Sequence, residues 1–404
     1  MSGNLSIEQI TTIRNPSYPK IIWVLVKTND GLEGIGETSY DPSTVEAFIM
    51  GEASNYLLGK DPSKIDLHWE ILSKVGSHIK IGNSGEMRGL SAIDMALWDL
   101  KAKRLKVPLY DLLGGLSRDK IKVYNTCAGY SYGVNRAGSK LPGDIDYQKD
   151  QPYEDQYAFI NDPVGLAESL LEDGFTAMKI WPFDQFVPNN DGNMIDLAEL
   201  EEGSEPFRLI REKFKSKMEV MLELHSFWNL PSAIRIAKSV EPYNPFWIED
   251  PVPMDNFDTL YQFKKSTFIP TTASETLASR WQFREMFEKR AATICMFDIS
   301  WVGGVSEAKK ISTMAESYNI PIATHDCVGP VTLAFSIHLS LNVPNTIIQE
   351  TVRAFNNTWY QNIVNKLPKI ENGYAYASND FGCGVDLSNE FLSNKDTEKK
   401  VIAL

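Results

Sequence analysis

The sequence predicts an α/β barrel, with parallel strands and helices in alternation, preceded by a smaller α+β part. Three observations carry that reading. Glu223, Glu249 and Glu275 stand 26 residues apart, each at the end of an apolar or β-branched run ("EVMLEL", "PFWIED", "PTTASE"). The series continues at intervals of 23, 27 and 25 with Asp298 in "TICMFDIS", His325 in "IPIATHD" and Glu350 in "NTIIQE". From "KVYNTCAG" onward, strand-like runs alternate with helical stretches at 164–173, 231–240, 280–289 and 305–318, the pattern of βα units around a parallel sheet. One βα unit of an eight-unit barrel averages roughly 30 residues, and the strand ends share one face. The six ionisable side chains are therefore expected around one mouth.

The elements follow in order. Residues 7–40 read as a meander: "IEQITTIRN", "KIIWVLVKTND", a turn at Asp30-Gly31, and "LEGIGETSY". "GLEGIGE" lacks the strand-to-helix context of a nucleotide loop. Leu90, Ile93, Leu97 and Leu100 recur at helical spacing, so 86–105 is an amphipathic helix. The expected organisation is an N-terminal part at 1–120, the barrel at 121–365, and a Gly-rich return to the N-terminal part at 366–404. Two stretches exceed ordinary loop length: 129–158, with Tyr130, Tyr132, Arg136, Lys140 and Tyr153, is read as a lid, and 184–204 is acidic and Asn-rich.

Composition excludes several classes. The chain has 404 residues, 43% of them hydrophobic, enough for a large core. A net charge of -13 opposes binding to a phosphate backbone, so no nucleic-acid partner is expected. "MSGNLSIEQI" lacks the pattern of a signal peptide and "IIWVLV" is too short to span a bilayer, so no membrane association is expected. Four scattered cysteines form neither a CxxC pair nor a disulfide framework, which fits a cytoplasmic location.

Three carboxylates converging on one mouth repel one another unless a cation sits between them. Glu223, Glu249 and Glu275 are accordingly the expected metal ligands. Oxygen-only ligands suit Mg2+, with Mn2+ as a substitute, and no His/Cys cluster points to zinc. Asp298, one strand before His325, is placed to fix that histidine's tautomer and stabilise its imidazolium, which makes His325 the candidate base.

"SAIDMALWDLKAK", "GFTAMKIW", "FWIEDPVP", "ASET", "FDISWVGGVSEAKKI", "ATHD" and "IQE" occur in the order and spacing of the enolase superfamily. They resemble its mandelate racemase subgroup of acid-sugar dehydratases and racemases, over nearly the whole chain. The resemblance implies a modified (β/α)7β barrel under an α+β capping domain, one divalent metal, and proton abstraction beside a carboxylate. It also implies that a protonated Glu350 hydrogen-bonds the enediolate, that Tyr40 and its neighbours contact the distal end of the substrate, and, by analogy, a homo-oligomer.

One departure matters. The racemases of the subgroup carry Lys-x-Lys on the second barrel strand, where this chain has Lys179-Ile180-Trp181. Lys179 is a candidate to bind the substrate carboxylate or a metal-bound oxygen, whereas Trp181 offers an apolar wall and one N–H donor, which weakens a two-base racemisation. In "Glu223-Leu224-His225", period-two spacing sets His225 beside the first metal ligand. This resembles the mannonate dehydratases, which use a histidine there as the acid and bring Arg and Tyr from a long loop, the role suggested for Arg136. His225 as a hydroxyl contact is the alternative. The expected activity is a lyase that dehydrates an aldonate or aldarate to a 2-keto-3-deoxy acid. A cycloisomerase opening a 3,6-anhydro-sugar acid is the alternative, a racemase or epimerase ranks third, and a non-catalytic regulatory protein on the same fold is the other class.

Overall fold

The computed structural model describes residues 5–75, 78–134 and 152–404. In the N-terminal sheet, Ile7–Arg14, Ile21–Thr28 and Glu33–Ser39 run antiparallel, and the chain's last strand, Glu398–Ala403, pairs antiparallel with the first. The near-continuous apolar run of Ile21–Thr28 has a physical reason. Ile22, Val24 and Val26 pack with Leu90, Ile93 and Leu97 of the helix Gly85–Leu105, while Trp23 joins the core shared with the barrel, so the strand is buried on both faces. A Cβ on Gly34 would lie 2.1 Å from the Ala96 carbonyl oxygen, and one on Gly36 would lie 1.8 Å from that of Ala92. These two glycines let strand and helix backbones touch.

Eight parallel strands follow: Ile121–Thr126, Ala177–Ile180, Glu219–Glu223, Ile248–Glu249, Thr271–Ala273, Ile294–Asp298, Ile322–His325 and Thr346–Thr351. Each pairs with the next, and Glu350 pairs opposite Tyr124 to close the barrel. A helix follows each of the first seven strands before the next begins, which makes a (β/α)7β barrel. The hairpin Lys369–Glu371 and Tyr374–Tyr376 adds antiparallel to the first strand.

The barrel interior explains the spacing of the ionisable residues. Tyr124, Ala177, Met221, Met296, Ala323 and Ile348, on six of the strands, and Trp247, immediately before a seventh, belong to one buried cluster. Two residues further along those same strands stand Thr126, Lys179, Glu223, Glu249, Asp298, His325 and Glu350. Because side chains alternate across a strand, an apolar plug at one level forces a second inward layer two residues on, at the C-terminal mouth.

The N-terminal part is clamped to the barrel by buried polar contacts. Asp94 accepts from Ser306 N at 2.9 Å and from Ser306 Oγ at 2.6 Å. Glu37 accepts from Trp23 Nε1 and from Thr332 N, each at 2.7 Å. Burial pushes both carboxyls up to about 7.

The structure corrects one expectation about loops. The stretch 184–204 is not a long irregular loop: Asp184–Asn189 forms a 3-10 helix, and the helix Leu197–Phe214 starts at a capping box in which Asp196 and Glu199 bond each other's backbone N–H. Among the described residues, no helix is long and apolar enough to cross a membrane.

Candidate active site

The inward layer at the mouth holds three carboxylates and a buried lysine in contact. One oxygen from each of Glu223, Glu249 and Glu275 lies within 4.8 Å of the others. Lys179 Nζ stands 2.6 Å from Glu249 Oε1, 3.1 Å from Glu350 Oε1 and 3.4 Å from Glu223 Oε2. The sequence reading gave Lys179 to the substrate carboxylate; here its ammonium is enclosed by the protein's own acids. Burial opposes its charge, but Glu249 and Glu350 hold its proton well above the usual lysine range. Glu249 is itself pushed well up, by burial and by Glu223 beside it.

This donor set fits a divalent cation. It is all oxygen, it converges, and Glu223 Oε2 is buried without a hydrogen-bond partner among the described residues. The other oxygen, Glu223 Oε1, is fixed by the backbone N–H groups of Leu224 and His225, at 3.0 and 2.6 Å. Asp250 adds an acid that the spacing did not reveal. Buried and bonded to Ser274 Oγ at 2.6 Å, it is pushed well up by burial and by Glu223.

Two histidine–carboxylate dyads flank this cluster. His325 Nδ1 lies 2.7 Å from Asp298 Oδ2, and Asp298 Oδ1 accepts from Ser300 N and Oγ, each at 2.7 Å. The other nitrogen, His325 Nε2, is 2.7 Å from Glu275 Oε2. Burial disfavours the imidazolium, but Glu275 and Glu350 raise its pKa well above the usual range, while His325 draws Glu275 down to about 2 against the effect of burial. The second dyad joins His225 Nδ1 to Asp184 Oδ2 at 2.6 Å. Asp184 and Glu223 outweigh burial and raise His225 to about 9.

His225 reaches this position in a way the period-two argument did not anticipate. Its strand ends at Glu223, and His225 and Ser226 take left-handed backbone angles, φ 47 and φ 60. The turn, not the pleat, sets the imidazole beside the metal ligand. Asp184 was missed because it comes from the segment after the second strand, outside the register of strand ends. The signal available was its place three residues past Trp181.

Glu350 lies in the same inward layer as Lys179. It accepts from Thr126 Oγ1 and from the Asp326 N–H, and it faces Lys179. Against the effect of burial, Lys179 and His325 hold it below the usual carboxylate range. Its two oxygens are thus engaged by Thr126, Asp326 and Lys179.

Trp181 forms the apolar wall read from the sequence, edge-on to His225 at 5.6 Å and to Phe159 at 5.2 Å. Tyr40 lies at the mouth, 38% exposed, with its ring 5.4 Å from Trp301, which in turn lies 5.1 Å from His325. Arg136 lies outside the described residues.

The profile of the mandelate racemase/muconate lactonizing enzyme N-terminal domain matches residues 9–114, and that of the enolase C-terminal domain-like family matches residues 164–391. The chain belongs to the mandelate racemase/muconate lactonizing enzyme family of the enolase superfamily. A D-galactonate dehydratase of Pectobacterium atrosepticum is 30% identical over 96% of this chain and 94% of that protein. An enolase of the mandelate racemase subgroup from Agrobacterium tumefaciens superposes with TM-score 0.86 at 38% identity, covering 98% of this chain and 99% of that one. An enolase protein from Sargasso Sea environmental sequencing gives TM-score 0.88 at 36% identity, covering 99% of each chain. For this member of the family, the barrel with its capping domain is the fold expected from the sequence motifs.

Proposed function

We propose that this chain is a divalent-metal-dependent sugar-acid dehydratase that uses His325 as base and His225 as acid. The observation that carries this reading is the second dyad, in which His225 Nδ1 stands 2.6 Å from Asp184 Oδ2 beside the carboxylate cluster. A carboxylate on one ring nitrogen favours the imidazolium, the form that can give a proton to a leaving hydroxyl. The D-galactonate dehydratase relatives support the same class of reaction.

Glu223, Glu249 and Glu275 would hold the cation, and an all-oxygen set favours Mg2+, with Mn2+ as a substitute. Such an ion supplies positive charge against the negative charge that develops on the substrate carboxylate. The rest is done by the chain's own groups. With Glu275 engaged by a cation, the charge that favours the His325 imidazolium and the contact at Nε2 would both be relieved; neutral His325, oriented through Nδ1 by Asp298, then takes the proton from C2 with Nε2, and the C2 electron pair moves into the carboxylate as an enediolate. The pair then returns to form the C2–C3 double bond as the C3–O bond breaks, His225 gives its proton to the departing oxygen, and water leaves. The resulting enol becomes the 2-keto-3-deoxy acid. Trp181 and Phe159 make one side of the site apolar and limit solvent access to His225.

The test is a panel of sugar acids with Mg2+ in D2O, following 2-keto-3-deoxy product and deuterium at C2. Wild-type protein is expected to form product. His325→Asn is expected to lose both product and exchange, and His225→Asn to lose product while keeping exchange. Undiminished product formation by His225→Asn would sink the assignment of the acid. Product without loss of water would replace dehydration by ring opening.

A further inference from the structure

Arg353 stands three residues past Glu350, just beyond the eighth barrel strand, and is 4% exposed. Its Nε and Nη2 donate to the two oxygens of Asp155, each at 2.8 Å, while Nη1 donates to Ser169 Oγ at 2.7 Å and to Asp173 Oδ2 at 2.9 Å. Asn125 of the first strand closes the arrangement: its Nδ2 donates to Asp155 Oδ2 at 3.0 Å, and its Oδ1 accepts from the Arg353 N–H at 2.8 Å. A buried, forked ion pair that is also bonded by a strand end fixes both the place and the orientation of Asp155. The catalytic steps above use none of these groups.

What the pair holds leads to the acid. Asp155 opens the helix Asp155–Asn161, and Phe159, one turn further along the same face, packs edge-on against Trp181 at 5.2 Å. Trp181 in turn stands edge-on to His225 at 5.6 Å. Tyr132 meets Trp181 from a second segment, with ring centres 6.0 Å apart. The two segments are tied where Tyr130 N donates to the Tyr153 carbonyl at 3.2 Å, and where Ser131 N and Oγ donate to Glu154 Oε1 at 3.0 and 2.6 Å. His325 rests instead against Trp301, 5.1 Å away on the segment after the sixth strand. Close-packed interiors transmit displacement from ring to ring, so the ion pair bears on one of the two histidines.

We propose that Arg353 and Asp155 are positioning residues for the acid: acting through Phe159 and Trp181, they fix the place of the His225 ring. This rests on the role given to His225 above and names a support for that ring besides Asp184. An ion pair that served stability alone would not distinguish His225 from His325.

The test reads the two histidines separately. The chain has five histidines, and labelling their Cε1 atoms with carbon-13 gives each a ring signal; His225→Asn and His325→Asn assign the two that matter. Because Trp181 is edge-on to His225, a displaced indole changes the ring current felt at His225 and moves its signal. Arg353→Lys cannot fork onto both Asp155 oxygens, and Phe159→Leu removes the relaying ring while leaving the ion pair intact. Each is expected to shift the His225 signal and leave that of His325 in place. In the D2O assay each is expected to form product about tenfold to a hundredfold more slowly, with exchange at C2 within about twofold of wild type. Phe159→Leu carries the test alone if Arg353→Lys does not fold. An unmoved His225 signal in Phe159→Leu, equal displacement of both histidine signals, or parallel loss of product and exchange overturns the inference. If wild-type protein gives neither product nor exchange from any sugar acid, the dehydratase reading fails, and the histidine signals still decide the positioning role.

Discussion

His225 and Asp184 form a dyad at 2.6 Å that matches the His325–Asp298 pair at 2.7 Å in chemistry, although the two are built differently. His325 and Asp298 pair across neighbouring parallel strands, opposite each other in register. His225 lies in a left-handed turn and Asp184 in a 3-10 helix. Removing Asp184 should therefore affect only the half-reaction that His225 serves. Asp184→Asn is expected to slow product formation about tenfold to a thousandfold, comparable to losing much of one acid–base contribution, and to leave deuterium exchange at C2 within about threefold of wild type. Single-turnover measurements with deuterated solvent read both. Equal loss of exchange and product would assign Asp184 to general support of the mouth.

Among the described residues, Lys179 is the cation that forms ion pairs with Glu223, Glu249 and Glu350. Deleting one partner of a buried ionic cluster typically costs about 3–5 kcal/mol. Lys179→Met should therefore lower the melting temperature sharply in EDTA. A divalent cation among the carboxylates substitutes for part of the missing charge, so added Mg2+ should rescue the variant more than it stabilises wild type. At a hundredfold excess over Kd, a ligand of the native state contributes about 2.7 kcal/mol. Equal Mg2+ effects in variant and wild type would separate Lys179 from the metal centre. EDTA should also abolish exchange and product alike, with recovery on Mg2+ addition.

Why the carboxylates and His325 were legible in the sequence, and Asp184 was not, follows from the barrel. A residue at a strand end inherits the period of the βα unit, so Glu223, Glu249 and Glu275 announce themselves by spacing. A residue delivered by a segment between elements carries no such period. Asp184 belongs to that second kind, carried by a 3-10 helix between the second barrel strand and the helix that follows it. The charge of Glu350 is illegible in the sequence for another reason: it depends on Lys179, Thr126 and the Asp326 N–H, three donors on three other segments. Protonation is set by tertiary neighbours, which a strand motif does not contain.

Glu37 should make stability fall as pH rises. Its carboxyl is raised by burial from an ordinary 4.5 to about 7, so the native state holds the proton where the unfolded chain has released it. The contribution is fully present below about pH 4.5, declines as pH rises, and is lost above about pH 7. The shift corresponds to about 3 kcal/mol at most. Glu37→Gln cannot ionise and keeps one acceptor oxygen where Glu37 has two, one for Trp23 and one for Thr332, so a pH-independent loss of stability is expected alongside the flattened profile. Denaturant unfolding between pH 4.5 and 8 should show a flatter profile for the variant and greater relative stability at the alkaline end. Asp94, also raised to about 7, leaves a residual slope of the same sign. Parallel profiles for wild type and variant would rule out the proposed ionisation.

The close approach of the N-terminal strand to its helix gives the sharpest mechanical prediction. A Cβ on Gly36 would stand 1.8 Å from the Ala92 carbonyl oxygen and 2.7 Å from its carbonyl carbon, both backbone atoms of a helix that is itself held to the barrel through Asp94 and Ser306. Neither partner has a flexible end that can swing aside. Gly36→Ala is expected to cost more than about 3 kcal/mol, because relief requires moving the helix off the sheet. The control is Gly82→Ala, where the new methyl meets nothing within 4 Å and the backbone is not left-handed, with an expected change within about 0.5 kcal/mol. Because Tyr40 follows directly on this strand, a Gly36→Ala protein that still folds should lose affinity for the sugar acid while binding Mg2+ as wild type does. Unchanged stability of Gly36→Ala would show that the helix–strand contact yields more easily than its backbone geometry implies.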